Sequence, residues 1–142
     1  MKTTPEQLDL EEALAGVPLL APLSVRRRRQ LLDRSRVVDH EAGHQLAAEG
    51  GGALAMHVIL SGSATVSIGG REIRTLRPGD YFGEISLIDG KPRSAAVTAA
   101  EPLRVLAVPY QAFQEMLDAD PAFARQLLLV LCARIRDVPA PR

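Results

Sequence analysis

The spacing of apolar residues changes twice along the chain and divides it into three parts. Between residues 37 and 109, short apolar runs are separated by glycines at positions 43, 50–52, 62, 69, 70, 79, 83 and 90. Turn signals this close together are typical of many short strands, and they favour a β-sandwich, roll or barrel. Before and after this region the spacing is that of short helices.

The clearest strand pair is a hairpin around Gly69-Gly70. A two-residue turn suits two glycines because both positions can adopt positive φ. This loop predicts that Val66 lies opposite Ile73 and that Ser67 lies opposite Glu72. The apolar pair would then face the core and the polar pair would face water.

Helix signals mark both ends of the chain. Thr4-Pro5-Glu6-Gln7 has the pattern of a capping box with proline at the first helical position, and Ser24 can cap a second helix that runs to about Ser35. Near the C-terminus a short helix is predicted from Tyr110 to Leu117, and Asp120-Pro121 begins a longer one.

The long C-terminal helix carries more apolar surface than one face requires. Its main predicted stripe consists of Ala124, Leu127, Leu128, Leu131 and Ile135. Apolar side chains at Leu129, Val130 and Cys132 extend the surface beyond that stripe. We therefore expect one side to pack on the strands and the other to meet a second copy of the chain or an effector domain.

Composition and charge narrow the range of functions. The 142 residues are about the size of one domain, and 17 basic residues balance 17 acidic ones. This balance argues against nucleic-acid binding. The local exception is Arg26–Arg29, which is either a set of arginines with packed stems and solvated charges or a docking patch for an acidic partner. Few aromatic residues and no tryptophan make a base-stacking platform unexpected.

Cysteine and histidine usage predicts no metal cofactor. Cys132 is the only cysteine, so neither an internal disulfide nor a cysteine-based zinc site can form. His40, His44 and His57 lack the His-x-His pair with a following Glu that metal-binding cupin barrels need. No apolar run approaches the ~20 residues of a membrane span, and the acidic N-terminus is unlike a signal peptide. We expect a cytoplasmic protein that does not bind membranes.

Candidate chemistry is concentrated in residues 79–97. Gly83 leaves room for a ligand to approach the backbone, and Glu84-Ile85-Ser86-Leu87 can form one helical turn whose free N–H groups bind an anion. The planar cation of Arg93 suits phosphate oxygens, and Ser94 adds a hydroxyl donor. Because the Glu84 carboxylate can accept from a sugar hydroxyl, the stretch combines a phosphate clamp with a sugar acceptor. That combination suggests a nucleotide.

The segment 82–97 resembles the phosphate-binding cassette of the cyclic-nucleotide-binding domain family. This family includes bacterial catabolite activator proteins, regulatory subunits of protein kinase A and cyclic-nucleotide-gated channels. Its cassette reads Phe-Gly-Glu, two small or aliphatic residues, Leu, a short spacer, then Arg, a small residue, Ala, any residue and Val. Every element is present between Phe82 and Val97. The resemblance extends over roughly residues 17 to 137.

The resemblance implies a mainly β fold. It predicts an eight-stranded antiparallel β-roll, a jelly-roll-like double-stranded β-helix, with helices before it and two helices after it. We expect one domain that consists of a helical segment at residues 1–36, the roll at 37–109 and lid helices at 110–142.

The resemblance also implies a role for each site residue. Glu84 would accept from the ribose 2′-hydroxyl, and Arg93 would pair with the cyclic phosphate. The backbone N–H groups of Ile85-Ser86 would complete the phosphate site together with Ser94, and Gly83 would permit the close approach. The base would rest on apolar side chains of the roll, with the last helix closing over it.

Two departures from the family pattern concern the base. His57 stands where the family often has an aromatic residue, and the last helix has no aromatic beyond Phe123 near its start. The Ser94 hydroxyl could serve the phosphate of cAMP or the guanine amino group of cGMP. We predict cAMP as the ligand, with cGMP as the alternative.

Three functions follow from these observations. The first is a cyclic-nucleotide sensor that performs no chemistry, since no nucleophile–base pair, paired acid and base, or metal constellation is visible. The second is a ligand-free protein-interaction module in which Arg93 pairs with Glu84. The third is the sensory part of a transcription regulator without its DNA-binding domain.

Overall fold

The structure, a computed structural model, describes residues 5–51, 55–83 and 95–137, and in them the chain forms four helices and eight strands. None of the helices in these ranges is both long and apolar enough to span a membrane. The helices are α1 (Pro5–Ala15), α2 (Val25–Arg34), α3 (Tyr110–Ala119) and α4 (Pro121–Asp137). The strands are β1 (Arg36–His40), β2 (Gln45–Ala47), β3 (Ala55–Ser61), β4 (Ala64–Ile68), β5 (Arg71–Leu76), β6 (Tyr81–Phe82), β7 (Ala96–Ala99) and β8 (Leu103–Pro109).

The strands form two four-stranded sheets. The first sheet has the order β1-β8-β3-β6, and the second has the order β2-β7-β4-β5. Every pairing within them is antiparallel. The prediction of an eight-stranded antiparallel roll, with helices before and after it in the sequence, is therefore confirmed.

Two apolar cores lie on opposite faces of the first sheet. The inner core, between the two sheets, receives Leu103 and Val105 from β8. The outer core, between the first sheet and the helices, receives Leu106 and Val108 from the same strand. All four of these side chains are buried. Because strand side chains alternate between faces, β8 has to be apolar on both of them.

The predicted cap of α2 is present, and the arginine run that follows it has structural partners. The Ser24 hydroxyl accepts a hydrogen bond from the Arg27 backbone N–H at 3.2 Å. The Arg28 guanidinium donates to the carbonyl oxygen of Leu23, and the Arg29 Nε lies 3.1 Å from a carboxylate oxygen of Glu11 on α1. The run thus helps to hold the N-terminal helices together, a role that neither interpretation of the sequence included.

The predicted glycine hairpin joins β4 to β5. Gly69 and Gly70 adopt φ values of +59° and +77°, as the two-residue turn requires. Ser67 pairs with Glu72, in agreement with the prediction.

The second predicted pair of this hairpin is wrong. Val66 pairs with Arg74, because the register shifts by one residue between Val66 and Ser67. The extra residue is Ile73, whose side chain is 51% exposed and does not face the core. A β-bulge of this kind cannot be anticipated from alternation alone, because alternation assumes a regular ladder.

The C-terminal helix begins where it was predicted, and its buried face matches the predicted stripe in part, since Leu127 is buried and Ala124 and Leu131 are half-buried. The Asp120 side chain caps α4 by accepting from the backbone N–H of Phe123 at 3.1 Å. Phe123 packs edge-on against Phe113, with ring centroids 5.8 Å apart, and sets the rotation of the helix. Leu128 and Ile135, both placed in the predicted stripe, are 63% and 72% exposed. The buried side of α4 consists of Phe123 and Leu127, with Val130, Leu131 and Arg134 half-buried.

Gly62, in the turn between β3 and β4, allows a test of how closely this turn packs against Pro102. At Gly62 φ is +85°, and a Cβ there would lie 2.3 Å from the carbonyl oxygen of Pro102. Gly43 has a similar φ of +89°, but a Cβ there would meet no heavy atom within 4 Å. Both alanine variants carry the left-handed backbone cost of roughly 1–2 kcal/mol, and only Gly62→Ala adds a collision costing about 1–3 kcal/mol more.

Urea denaturation of the two variants checks this expectation. The free energy of unfolding should fall clearly further for Gly62→Ala than for Gly43→Ala. Equal losses would show that the backbone at Pro102 moves away without cost.

Candidate functional site

Six residues were predicted to bind the ligand, and the structure describes one of them. Gly83 follows directly after β6 and adopts φ +97°, a backbone conformation that favours glycine. The other five, Glu84, Ile85, Ser86, Arg93 and Ser94, lie outside the described residues. Their roles stay predictions from the sequence.

The two ends of the predicted cassette belong to different sheets. The chain leaves the first sheet at Phe82, the end of edge strand β6, and enters the second sheet at Ala96, the start of β7. Strand β7 lies inside its sheet, between β2 and β4. Residues 83–95 therefore connect the two sheets of the roll.

The two residues of β6 face opposite cores. Tyr81 pairs with Val58 and is buried in the outer core with it, whereas Phe82 pairs with His57 and belongs to the inner core. Since Gly83 comes next, the chain enters the predicted cassette from a strand that is anchored on both sides. A strand of only two residues gains its position from such anchoring more than from its hydrogen bonds.

The histidine that departs from the family pattern takes part in an aromatic contact. The rings of His57 and Phe82 stack with centroids 4.8 Å apart and an interplanar angle of 13°. The imidazole of His57 thus occupies a packing position that an aromatic ring would also fill. The departure concerns the packing of β6 on β3, which agrees with its interpretation from the sequence.

Apolar side chains form the wall of the roll next to the end of the cassette. Val97 on β7 pairs with Val66 on one side and with Ala47 on the other. All three are buried in the inner core, and Ala95 packs against the same core. Apolar chemistry is what the predicted base platform requires, but these side chains pack against one another in the core and do not form an open surface.

His40, at the end of β1, and His44, just before β2, form a second aromatic contact. The rings of His40 and His44 stack with centroids 4.6 Å apart. Burial lowers the pKa of His40, and the neighbouring His44 lowers it further. Among the residues that the structure describes, no three His, Cys, Asp or Glu side chains are grouped as metal ligands.

One contact near the site was missed by the sequence interpretation. The guanidinium carbon of Arg134 on α4 lies 5.3 Å from the ring centroid of Tyr81 on β6. The signal that could have found it is helical spacing, because Arg134 follows Phe123, Leu127 and Val130 on one face.

Comparison with known proteins identifies a family pattern in this chain. The pattern of the cyclic nucleotide-binding domain matches residues 37–120, which is more than half of the chain. The match begins in β1 and ends at the residue that caps α4.

Two relatives come from signalling enzymes. A cGMP-dependent protein kinase from Toxoplasma gondii is 41% identical over 88 residues, which is 62% of this chain and 9% of that protein. A cAMP-dependent protein kinase regulatory subunit from Eremothecium gossypii is 36% identical over 113 residues, 79% of this chain and 25% of that protein. The chain thus spans a quarter or less of these two relatives.

A solved structure shares the whole fold. The sensor domain of the transcriptional regulator DNR from Pseudomonas aeruginosa superimposes with a TM-score of 0.82 at 20% sequence identity. The alignment covers 98% of this chain and 99% of that domain. At this identity the likeness concerns the fold.

Proposed function

Because the chain belongs to the cyclic nucleotide-binding domain family, we propose that it is a sensor domain that binds a cyclic nucleotide through residues 83–94. One observation carries the proposal. The complete cassette pattern in the sequence falls between β6 and β7, where the chain passes from one sheet of the roll to the other. A ligand held there could contact both sheets.

In the proposed site, charged side chains and backbone N–H groups both bind the nucleotide. Arg93 neutralises the cyclic phosphate with a planar cation that can donate two parallel hydrogen bonds. The N–H groups of Ile85-Ser86 and the Ser94 hydroxyl donate to the remaining phosphate oxygens. Glu84 accepts from the ribose 2′-hydroxyl, and Gly83 lets the ligand approach the main chain.

We propose cAMP as the preferred ligand. The relative that is matched over the larger share of this chain is a cAMP-dependent regulatory subunit. The Toxoplasma gondii relative is a cGMP-dependent kinase, so cGMP is the competing ligand to test. Binding is proposed to favour one position of α4, and it can shift that balance only by its differential affinity for the two positions.

Isothermal titration with cAMP and with cGMP tests the proposal. We expect saturable binding by the native chain and a Kd for Arg93→Ala that is higher by roughly a hundredfold or more. That factor corresponds to losing two charge-assisted hydrogen bonds worth about 3 kcal/mol together. Arg74→Ala, which removes an exposed arginine from β5, is the matched control and should bind like the native chain.

The alternative outcome has a clear meaning. A folded, nucleotide-free sample that gives no binding heat with either ligand would refute the sensor proposal. It would support a protein-interaction module that keeps the roll without its ligand.

We further propose that α4 carries a contact surface for a second copy of the chain. Leu128, Cys132 and Ile135 are exposed and follow the spacing of a helical seam, with Leu128 and Ile135 63% and 72% exposed. A seam of this spacing can pair with itself around a two-fold axis, as coiled coils do. This surface, here called the α4 seam, is defined by those three residues.

Light scattering after size-exclusion chromatography tests the α4 seam. We expect the native chain to form dimers and Leu128→Glu to be monomeric at the same concentration, because a buried unpaired carboxylate is costly. Ala133→Glu places the same charge on an exposed position of the opposite side of α4 and should leave the dimer intact. A native chain that is monomeric at high concentration would overturn the dimer and favour an effector domain as the occupant.

A further inference from the structure

The contact between Arg134 and Tyr81 joins two distant parts of the chain. Arg134 lies in the last turns of α4, and Tyr81 lies on β6, two residues before Gly83. The guanidinium carbon is 5.3 Å from the ring centroid, within the range of a cation–π interaction. Tyr81 is 8% exposed and Arg134 is half-buried, so the contact is partly shielded from water.

The second half of α4 is less deeply buried than the first half. Leu127 is the last fully buried side chain of the helix, and Leu128, Leu129 and Ile135 are more than half exposed. Beyond Leu127, only half-buried side chains face the outer core, and these are Val130, Leu131 and Arg134. The position of this half of the helix therefore depends strongly on a few contacts.

The other end of the contact lies next to the proposed nucleotide site. Tyr81 is paired with Val58 on β3, and the next two residues are Phe82 and Gly83. The short strand has the Tyr81 ring on one face and the Phe82 ring on the other. A displacement of the chain at Gly83 would therefore reach the Tyr81 ring through two residues of the same strand.

We propose that Arg134 is a positioning residue, and that its contact with Tyr81 couples the cassette to the second half of α4. The part of this proposal that concerns nucleotide rests on the proposed function. The part that concerns the position of α4 does not. If the aliphatic stem of Arg134 only filled space, an uncharged side chain of similar length would hold α4 equally well. Replacing the charge alone therefore distinguishes the two roles.

Four variants separate the charge from the stem and the ring from the hydroxyl. Arg134→Met keeps an apolar stem and removes the cation, and Tyr81→Leu removes the ring. Tyr81→Phe keeps the ring, and Arg136→Met removes an exposed cation from the same helix as a matched control. Circular dichroism and thermal unfolding identify any variant that fails to fold.

The first measurement is amide hydrogen exchange of the nucleotide-free chain, followed by mass spectrometry of peptides from α4. We expect exchange in residues 128–136 to rise roughly two- to fivefold in Arg134→Met and in Tyr81→Leu, the factor that a cation–π contact provides. Arg136→Met should match the native chain, and Tyr81→Phe should exchange more slowly than Tyr81→Leu because it keeps the ring that the cation contacts. The increase in exchange in the double variant Tyr81→Leu/Arg134→Met should be smaller than the product of the two single increases, because both substitutions remove the same contact.

The second measurement repeats the exchange with saturating cAMP or cGMP, with binding confirmed by titration. The native chain should change its exchange in residues 128–136, and Arg134→Met should bind the nucleotide but lose most of that change. If neither the native chain nor any variant binds a nucleotide, the proposed function fails. The first measurement still shows whether the contact between Arg134 and Tyr81 holds α4 in place. The proposal is overturned if residues 128–136 of Arg134→Met exchange at the native rate without nucleotide. It is also overturned if nucleotide changes their exchange as much in that variant as in the native chain.

Discussion

The structure depends on a sheet that is apolar on both faces. Strand β8 lies between β1 and β3, and its side chains enter the inner and outer cores alternately. A sheet of this kind cannot be left open to water on either side, so the helices must cover the face that the second sheet does not. The roll and the helices therefore share a core, and a change in the packing of one alters the packing of the other.

The proposed nucleotide site follows the edge strand of that sheet. Strand β6 has one ring in each core, Tyr81 under α4 and Phe82 against His57. The chain then turns at Gly83 into the cassette and returns on the second sheet at Ala96. A ligand bound between these points would be sensed by both sheets through the strands and by α4 through Tyr81. The described residues thus connect the proposed binding site, through Tyr81, to a helix whose far side is exposed.

Much of the fold was predictable because its signals are local. The caps at Ser24 and Asp120 and the glycine turn at residues 69–70 depend on neighbouring residues only, and all are present. The bulge at Ile73 and the rotation of α4 depend on contacts between distant segments, such as Phe123 on Phe113, which periodicity does not contain. For the site, the cassette pattern predicted the ligand class, but the partner of Arg134 could only come from the tertiary structure.

The most direct test of the account is an NMR titration of the isotope-labelled chain with cAMP, following backbone amides. The account predicts saturable shifts at Gly83 and at Ala95–Val97, the two ends of the cassette, together with shifts along residues 127–136 of α4. Residues of β5, at the far edge of the second sheet, should stay unchanged. Shifts absent from both ends of the cassette at saturating nucleotide, or confined to the N-terminal helices, would contradict it.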